Sequence, residues 1–127
     1  SHSEIFLKEI KADIKVKKLK KGNLIKLLGQ KNIYSFDYKV NSDPSSAAFL
    51  IVLTLLIPNS KLIINNVLCN DTRIGFIKIL KKMNAKIKIK DLRIVSGERV
   101  GTIVAQSSKL KSIMVSKDVP KFIDELP

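Results

Sequence analysis

The stretch LKKMNAKIKIK, residues 80–90, repeats an earlier part of the same chain. Aligned without a gap to LKEIKADIKVK, residues 7–17, it is identical at six of eleven positions. Both copies indicate the end of a helix, a small residue where the chain turns, and a strand in which apolar residues alternate with lysines. Because further strand-like segments follow each copy, the pattern predicts an α+β (α/β) fold made of repeated βαβαββ units.

The segments around the second copy complete one predicted unit. Asp43 is expected to cap a helix that has Pro44 in its first turn and continues through the apolar run 47–57, which we expect to be buried. A second helix is expected to start at a cap formed by Asp71 and to end near Met83. Strands are predicted at residues 61–67, 86–90, 92–96, 100–106 and 111–115.

Further strands are predicted after the helix end of the first copy, at residues 14–17, 24–28 and 33–40. In the last of these, Tyr34, Phe36 and Tyr38 would share one face because side chains alternate along a strand. Such a row can stack nucleic-acid bases, but it belongs more often to a core. We favour the core interpretation.

The chain is strongly basic, with a net charge of +13 from 24 Lys+Arg against 11 Asp+Glu. This balance is compatible with nucleic acid or small anions as partners. Only Arg73, Arg93 and Arg99 are arginines, whereas contacts to bases and bidentate contacts to phosphates favour the planar guanidinium. Many lysines alternate with apolar residues, which is typical of the solvated face of a half-buried strand. We therefore favour solvated faces and expect no nucleic-acid partner.

Composition also bounds the cellular context and the cofactors. The chain has one cysteine, Cys69, and one histidine, His2, so neither a disulfide framework nor a zinc cluster is expected. The longest apolar run, residues 47–57, is far shorter than the roughly 20 residues that span a bilayer. We therefore expect a cytoplasmic protein that needs no metal or cofactor and has no membrane partner.

The residues DPSS at 43–46 permit two interpretations. The free backbone amides at the start of a helix can bind a phosphate. A serine-rich cap in front of an apolar helix is more often structural, with the aspartate accepting hydrogen bonds from the same amides. We favour the structural cap.

Three motifs resemble the 5-enolpyruvylshikimate-3-phosphate synthase (EPSP synthase) family in order and spacing: DPSSAAFLIV (43–52), NDTRIGFIKILKKMNA (70–85) and VPKFIDELP (119–127). Two shorter stretches, His2-Ser3-Glu4 and SGERVG (96–101), are similar as well. The resemblance therefore extends over essentially the whole chain. The departures from the family pattern lie in turns or caps, where such substitutions are natural: Ser42 for glycine, Asp71 for proline, Asn84 for glycine and Arg99 for proline.

The resemblance implies the enolpyruvyl transferase (EPT/RTPC-like) fold, in which six βαβαββ units form two domains with the substrates between them. Residues 1–41 would be the C-terminal part of the last unit of one domain. Residues 42–127 would be the first unit of the second domain and the start of the next unit. The chain would then be an internal piece of a longer, monomeric protein. As an isolated piece with unmatched strand edges, it is expected to self-associate.

The resemblance also implies an activity: transfer of the enolpyruvyl group of phosphoenolpyruvate to the 5-hydroxyl of shikimate 3-phosphate, with release of phosphate, on the route to chorismate and the aromatic amino acids. The matching catalytic and substrate-binding residue in VPKFIDELP is Asp124, which would accept the proton of the hydroxyl. Its place in the first turn of a helix favours the charged carboxylate. The family's other substrate ligands match no segment of this chain, so the 127 residues alone are expected to be inactive.

Two alternative functions fit parts of the sequence. The sister family that transfers enolpyruvyl to a nucleotide sugar, UDP-N-acetylglucosamine, shares the architecture, but SSAAF (45–49) and IDELP (123–127) favour the shikimate enzyme. A small basic nucleic-acid-binding domain would use the charge and the aromatic row at residues 34–38.

Overall fold

The computed structural model describes residues 2–29, 32, 34–35 and 37–114. These residues form the elements α1 (His2–Glu9), β1 (Asp13–Leu19), β2 (Gly22–Leu28), α2 (Pro44–Leu56), β3 (Lys61–Leu68), α3 (Gly75–Lys82), β4 (Lys86–Val95) and β5 (Glu98–Gln106). They belong to two compact units, Ser1–Lys39 with Ser96–Glu98 and Val40–Val95 with Arg99–Pro127. The combination of helices with antiparallel sheets confirms the predicted α+β (α/β) class.

The first unit contains a two-stranded antiparallel sheet formed by β1 and β2. The register runs from Asp13 opposite Leu28 to Leu19 opposite Gly22. Ile14 is the buried residue of β1, and every side chain of β2 is exposed. The strands predicted at residues 14–17 and 24–28 are both confirmed.

The repeat in the sequence is also a repeat of backbone structure. α1 and α3 are each eight residues long and lie 73 positions apart, and both end in the same hydrogen-bonded turn. Ala12 N donates to Leu7 O at 2.9 Å, and Ala85 N donates to Leu80 O at 3.0 Å. The two residues joined by this bond are a leucine and an alanine in both copies.

A left-handed residue precedes the alanine in both copies. The backbone φ is 58° at Lys11 and 71° at Asn84. Together with the bond from the alanine N–H, this is the Schellman arrangement that closes many helices. Asparagine tolerates the left-handed region better than most residues, which explains its replacement of the family's glycine at position 84.

The second unit contains a three-stranded sheet in the order β3-β5-β4. β3 runs antiparallel to β5, with Lys61 opposite Gln106. β4 and β5 are joined only by Ser96 and Gly97, and a connection this short joins antiparallel neighbours. The strands predicted at 61–67 and 100–106 are confirmed to within two residues at each end.

The two strands predicted at 86–90 and 92–96 are one continuous strand, β4. Asp91 lies inside it with a φ of 51°, so the polar residue marks an irregularity rather than an end. β4 and β5 are neighbours in the sheet and are nearly equal in length. A single distorted residue, such as Asp91, need not end a strand that has such a neighbour.

The core of the second unit joins α2, α3 and one face of the sheet. Ile87 of β4 and Ile103 of β5 belong to it, and Leu62, Ile64 and Ile89 pack against it. Side chains alternate along a strand, so the residues that lie between these core residues on β3, β4 and β5 have their side chains on the opposite face of the sheet. This opposite face is called the open face below. The buried members of the core are Ala47, Ala48, Ile51, Leu55, Val67, Cys69, Ile74, Phe76, Ile77, Leu80, Ile87, Ile103 and Ala105.

α2 is capped as predicted but only half buried. Ile51 and Leu55 lie in the core, whereas Phe49 and Leu53 are 60% and 54% exposed. The outer face of α2, defined as Phe49, Leu50, Leu53 and Leu56, is apolar and uncovered in this structure. The expectation of a buried helix is therefore correct for one face and wrong for the other. In the described part of the chain, no helix is long and apolar enough to cross a membrane.

α3 begins at Gly75 rather than directly after Asp71. Arg73 N donates to Asn70 O at 2.8 Å, which makes residues 70–73 a turn, and the helix starts without a side-chain cap. The predicted cap at Asp71 is wrong because its carboxylate pairs with a side chain 28 residues away in the sequence, that of Arg99.

The described residues of segment 33–40 form no strand, so the strand predicted there is wrong for them. Tyr34 is 64% exposed, Tyr38 is half-buried, and Phe36 lies outside the described residues. Within the described chain no neighbouring strand pairs with this segment, and strand backbone needs such a partner. The predicted strand 111–115 is also absent over residues 111–114, and residue 115 lies outside the described residues.

We predict that Asn84→Val lowers the free energy of unfolding by about 1–2 kcal/mol, because a β-branched side chain is strained at positive φ. Asn84→Gly is the matched control and should keep the stability of the native residue, since glycine adopts this conformation freely. Urea denaturation followed by circular dichroism measures both. If both variants lose the same stability, the cause would instead be the missing hydrogen bond from Asn84 Nδ2 to Lys109 O.

Candidate functional site around the start of helix α2

The predicted catalytic residue, Asp124, lies outside the described residues, together with the rest of VPKFIDELP. Its role therefore stays a prediction. The other two long motifs, which begin at Asp43 and Asn70, lie within the described chain. Their side chains meet at the start of α2.

Asp43 caps α2. Its Oδ2 accepts hydrogen bonds from the backbone N of Ser46 at 2.8 Å and from the Ser46 hydroxyl at 2.9 Å. Pro44 occupies the first turn, where the missing N–H of proline costs nothing. The cap and the proline position predicted from the sequence are both confirmed.

Arg73 links the second motif to this cap. Its Nη2 donates to Asp43 Oδ1 at 3.0 Å and to Ser45 Oγ at 3.3 Å. Both oxygens of Asp43 therefore accept hydrogen bonds. The bond from the Ser46 backbone is the largest influence that holds the pKa of Asp43 below its usual value, with Arg73 contributing and partial burial acting in the opposite direction.

The residues that lead into α2 are anchored to the end of β3. Ser42 N donates to Asn66 O at 2.9 Å, and Leu68 N donates to Ser42 O at 3.0 Å. Ser42 also forms a single parallel bridge with Val67. These bonds fix the direction in which the chain enters the helix, so the serine that replaces a family glycine is accommodated in an ordinary strand-like pairing.

The contacts of Asp43 favour a structural cap over a phosphate site. A carboxylate already accepts from the free amide, and the same carboxylate neutralises the guanidinium of Arg73. A phosphate would have to displace Asp43 or approach it against like-charge repulsion. The structural interpretation of DPSS is therefore supported.

Two departures from the family pattern contact each other. Arg99 Nη1 lies 3.1 Å from Asp71 Oδ2, and Arg99 N donates to Asn70 Oδ1 at 3.0 Å. Both residues stand where the family has proline. An exposed ion pair contributes at most about 1 kcal/mol, but the contact makes the two substitutions one local change rather than two. The sequence alone did not reveal this pairing because the residues are 28 positions apart.

In the first unit, the structure places a carboxylate where the sequence indicated only a turn. Glu98 is 1% exposed and accepts a hydrogen bond from the Tyr38 hydroxyl at 3.0 Å. The Tyr38 ring meets that of Phe6 edge to face, with centroids 5.4 Å apart. Burial, followed by the bond to Glu98, raises the pKa of Tyr38. Tyr38 is therefore half-buried and packs against Phe6, whereas Tyr34 is exposed, so the core interpretation of the aromatic row is wrong for Tyr34 and only partly correct for Tyr38.

The described residues contain no cluster of three or more His, Cys, Asp or Glu side chains that could hold a metal ion. Cys69 is free and buried, and burial raises the pKa of its thiol. A buried thiol of raised pKa is a packing residue rather than a nucleophile.

Solved structures identify the class of fold. Over 98% of its length, the chain matches EPSP synthase from Acinetobacter baumannii with a TM-score of 0.81 and 33% sequence identity, and it covers 28% of that chain. A second EPSP synthase structure from the same organism matches with a TM-score of 0.82. The fold is thus that of the enolpyruvyl transferases, as the family resemblance implied.

The sequence comparison identifies the family. The family model described as EPSP synthase (3-phosphoshikimate 1-carboxyvinyltransferase) matches residues 1–127. The chain belongs to the EPSP synthase family. The nucleotide-sugar transferase and the small nucleic-acid-binding domain, both considered from the sequence, are not favoured by these matches.

Curated relatives carry the same name. The 3-phosphoshikimate 1-carboxyvinyltransferase of Caldicellulosiruptor saccharolyticus is 46% identical over 127 residues. That of Alkaliphilus oremlandii is 35% identical over 127 residues. Each match covers 99% of this chain, and the chain spans 29% of the length of each relative.

We predict that Asp43→Ala lowers the free energy of unfolding by about 1 kcal/mol through loss of the cap. Asp43→Asn should lower the free energy of unfolding by less, because asparagine also caps helices. The ion pair with Arg73 that it removes has side chains 40–48% exposed and so contributes little. Denaturation curves at several pH values measure both variants.

The two variants should also differ from the native chain in their response to acid. Because its folded-state pKa is lowered, the Asp43 carboxylate stabilises the fold above the unfolded-state pKa of about 3.9, and this contribution is lost as the pH falls through the folded-state pKa. Asp43→Asn should therefore flatten the loss of stability below about pH 4. An unchanged acid response would show that other carboxylates dominate it.

Proposed function

We propose that residues 1–127 are part of a 3-phosphoshikimate 1-carboxyvinyltransferase. The observation that carries the proposal is the family match over residues 1–127, joined by relatives of that name at 35% to 46% identity. The substrates would be phosphoenolpyruvate and shikimate 3-phosphate. The confirmed cap at Asp43 and its contact with Arg73 support the correspondence of motifs on which the proposal rests.

The proposed reaction is an addition followed by an elimination. The 5-hydroxyl of shikimate 3-phosphate adds to the phosphate-bearing carbon of phosphoenolpyruvate while the neighbouring methylene carbon takes up a proton, giving a tetrahedral intermediate with a methyl group. Loss of phosphate together with a proton from that methyl group then restores the double bond and leaves the enolpyruvyl ether. Asp124 is proposed to orient the hydroxyl and accept its proton, which a carboxylate held in its charged form can do.

Other groups of the longer protein would have to hold the two phosphorylated substrates. Electrostatic stabilisation by several converging donors is usually the largest catalytic contribution. Among the five motif matches, only VPKFIDELP contributes a proposed substrate contact, at Asp124. We therefore propose that the 127 residues are inactive on their own.

The proposed domain division places residues 1–41 at the end of one domain and residues 42–127 at the start of the next. The separation of two compact units between residues 39 and 40, with 96–98 in the first unit, supports it. So does the anchoring of Ser42 to Asn66 and Val67, which belong to the second unit. Each domain would be completed by βαβαββ units outside these residues.

The proposal extends to the setting of the longer protein. A cytoplasmic location agrees with Cys69 being free and buried, since reduced thiols persist in a reducing compartment. A monomeric enzyme is proposed, in which the outer face of α2 is covered by the rest of the chain. An apolar face of this kind is costly to leave in water, which supports such a cover.

We predict that the full-length protein releases phosphate from phosphoenolpyruvate only when shikimate 3-phosphate is present. Asp124→Ala should reduce the rate by 100-fold or more, on the order expected for a lost general base. Asp118→Ala removes a nearby carboxylate of the same segment and is the matched control, with little change expected. A coupled phosphate assay measures all three proteins.

Two further arms make the test selective. The isolated 127-residue chain should release no phosphate, and turnover by it would contradict the proposed need for the missing ligands. UDP-N-acetylglucosamine should not replace shikimate 3-phosphate, and if it did, the sister enzyme would be the correct assignment. An active Asp124→Ala variant would remove the proposed role of this residue.

We also predict that the isolated chain self-associates through the outer face of α2. Leu53→Ser should shift it towards monomer, because the apolar area that drives association is reduced. Leu92→Ser is the matched control, since Leu92 on β4 is 50% exposed against 54% for Leu53. Sedimentation velocity measures the change, and equal shifts in both variants would point to a different surface.

A further inference from the structure

A groove in the second unit follows β4, one of the two edge strands of the three-stranded sheet. Its volume is about 550 Å³, which lies in the range of small-ligand pockets. The described residues that line it include Ala85, Ile87, Val104 and Gln106. Five lysines also line it: Lys61, Lys81, Lys86, Lys88 and Lys90.

Strand geometry explains how these lysines come together. Ile87 and Ile89 face the core, so the alternating Lys86, Lys88 and Lys90 lie on the open face. Neighbouring members of this row are about 6.7 Å apart along the strand. Lys61 lies opposite Gln106 in the ladder and therefore joins the same face from β3. Lys81 reaches the groove from the last turn of α3.

The charge of the groove is not balanced inside it. The described residues of its lining include no carboxylate, and within the same part of the chain none of the five ammonium groups has a carboxylate partner. The three arginines differ in this respect. Arg73 pairs with Asp43, Arg99 with Asp71, and Arg93 Nη2 donates to Asn66 Oδ1. The five ammonium groups therefore give the described lining of the groove a net positive charge.

The internal repeat bears on the same residues. Of the six positions identical between residues 7–17 and 80–90, five line the groove: Lys81, Ala85, Ile87, Lys88 and Lys90. Packing and the helix-closing turn account for the alanine and the isoleucine. Packing does not account for the three lysines, because their side chains are exposed.

We propose that this groove binds a small anion with two or more phosphate groups. Lysine ammonium groups act as compact point charges with three donors each, so a row of them suits several phosphates without fixed geometry. Among the described residues of the lining there is no aromatic side chain on which nucleic-acid bases could stack, which favours a small anion over a nucleic-acid strand. The inference goes beyond the proposed transferase activity and does not use Asp124.

The test uses the full-length protein and inorganic tripolyphosphate as the probe. Isothermal titration at constant pH and ionic strength should give one saturable site whose affinity falls with added salt. The triple substitution Lys81→Gln, Lys88→Gln and Lys90→Gln should weaken binding by about tenfold or more. The triple substitution Lys8→Gln, Lys15→Gln and Lys17→Gln removes the same charge from the other copy of the repeat and should change binding less than about twofold.

Two controls separate the groove from other causes. Saturating shikimate 3-phosphate should leave tripolyphosphate binding unchanged, whereas displacement would assign the probe to the substrate site and overturn the proposal. Replacing Lys81, Lys88 and Lys90 by arginine should preserve binding of tripolyphosphate, because the positive charge stays in the groove. Equal losses in the two glutamine variants, or no saturable binding, would also overturn it. If the triple variant unfolds, Lys88→Gln alone against Lys15→Gln gives the same comparison.

Discussion

Packing of α2 and α3 against one face of the β3-β5-β4 sheet is the constraint on which the second unit depends. Ile87, Ile103 and Ala105 enter this core because they alternate with less buried neighbours along their strands. The alternation then leaves the lysine row of β4 on the open face, where the groove forms. The position of these lysines on the open face is therefore a geometric consequence of how the core is built.

Long-range pairs of polar side chains position the start of α2 and the turn before α3. Arg73 reaches back 30 residues to Asp43, and Arg99 reaches back 28 residues to Asp71. Each pair is exposed and contributes little to stability. The pairs therefore serve mainly to orient the start of α2 and the turn before α3. The contact between Asp71 and Arg99 also shows how a family pattern can change at two distant positions while one local structure is kept.

Features that depend on neighbouring residues could be predicted from the sequence. The cap at Asp43, Pro44 in the first turn, and the repeated helix end at Leu7 and Leu80 all follow from hydrogen bonds within a few residues. Predictions that required a distant partner were less secure. The strand at 33–40 is absent from its described residues, and α3 starts four residues beyond Asp71.

For the candidate site, too, some features could be predicted from the sequence and others could not. Order and spacing of motifs led to the family and to Asp124, whose role remains a proposal, because such information is carried by the chain itself. The burial of Glu98 under Tyr38, the pairing of Asp71 with Arg99 and the grouping of five lysines were decided only by tertiary structure. The physical reason is that local hydrogen bonds and alternation are set by residues a few positions apart, whereas side-chain neighbours from distant segments exist only once the sheet and helices have packed.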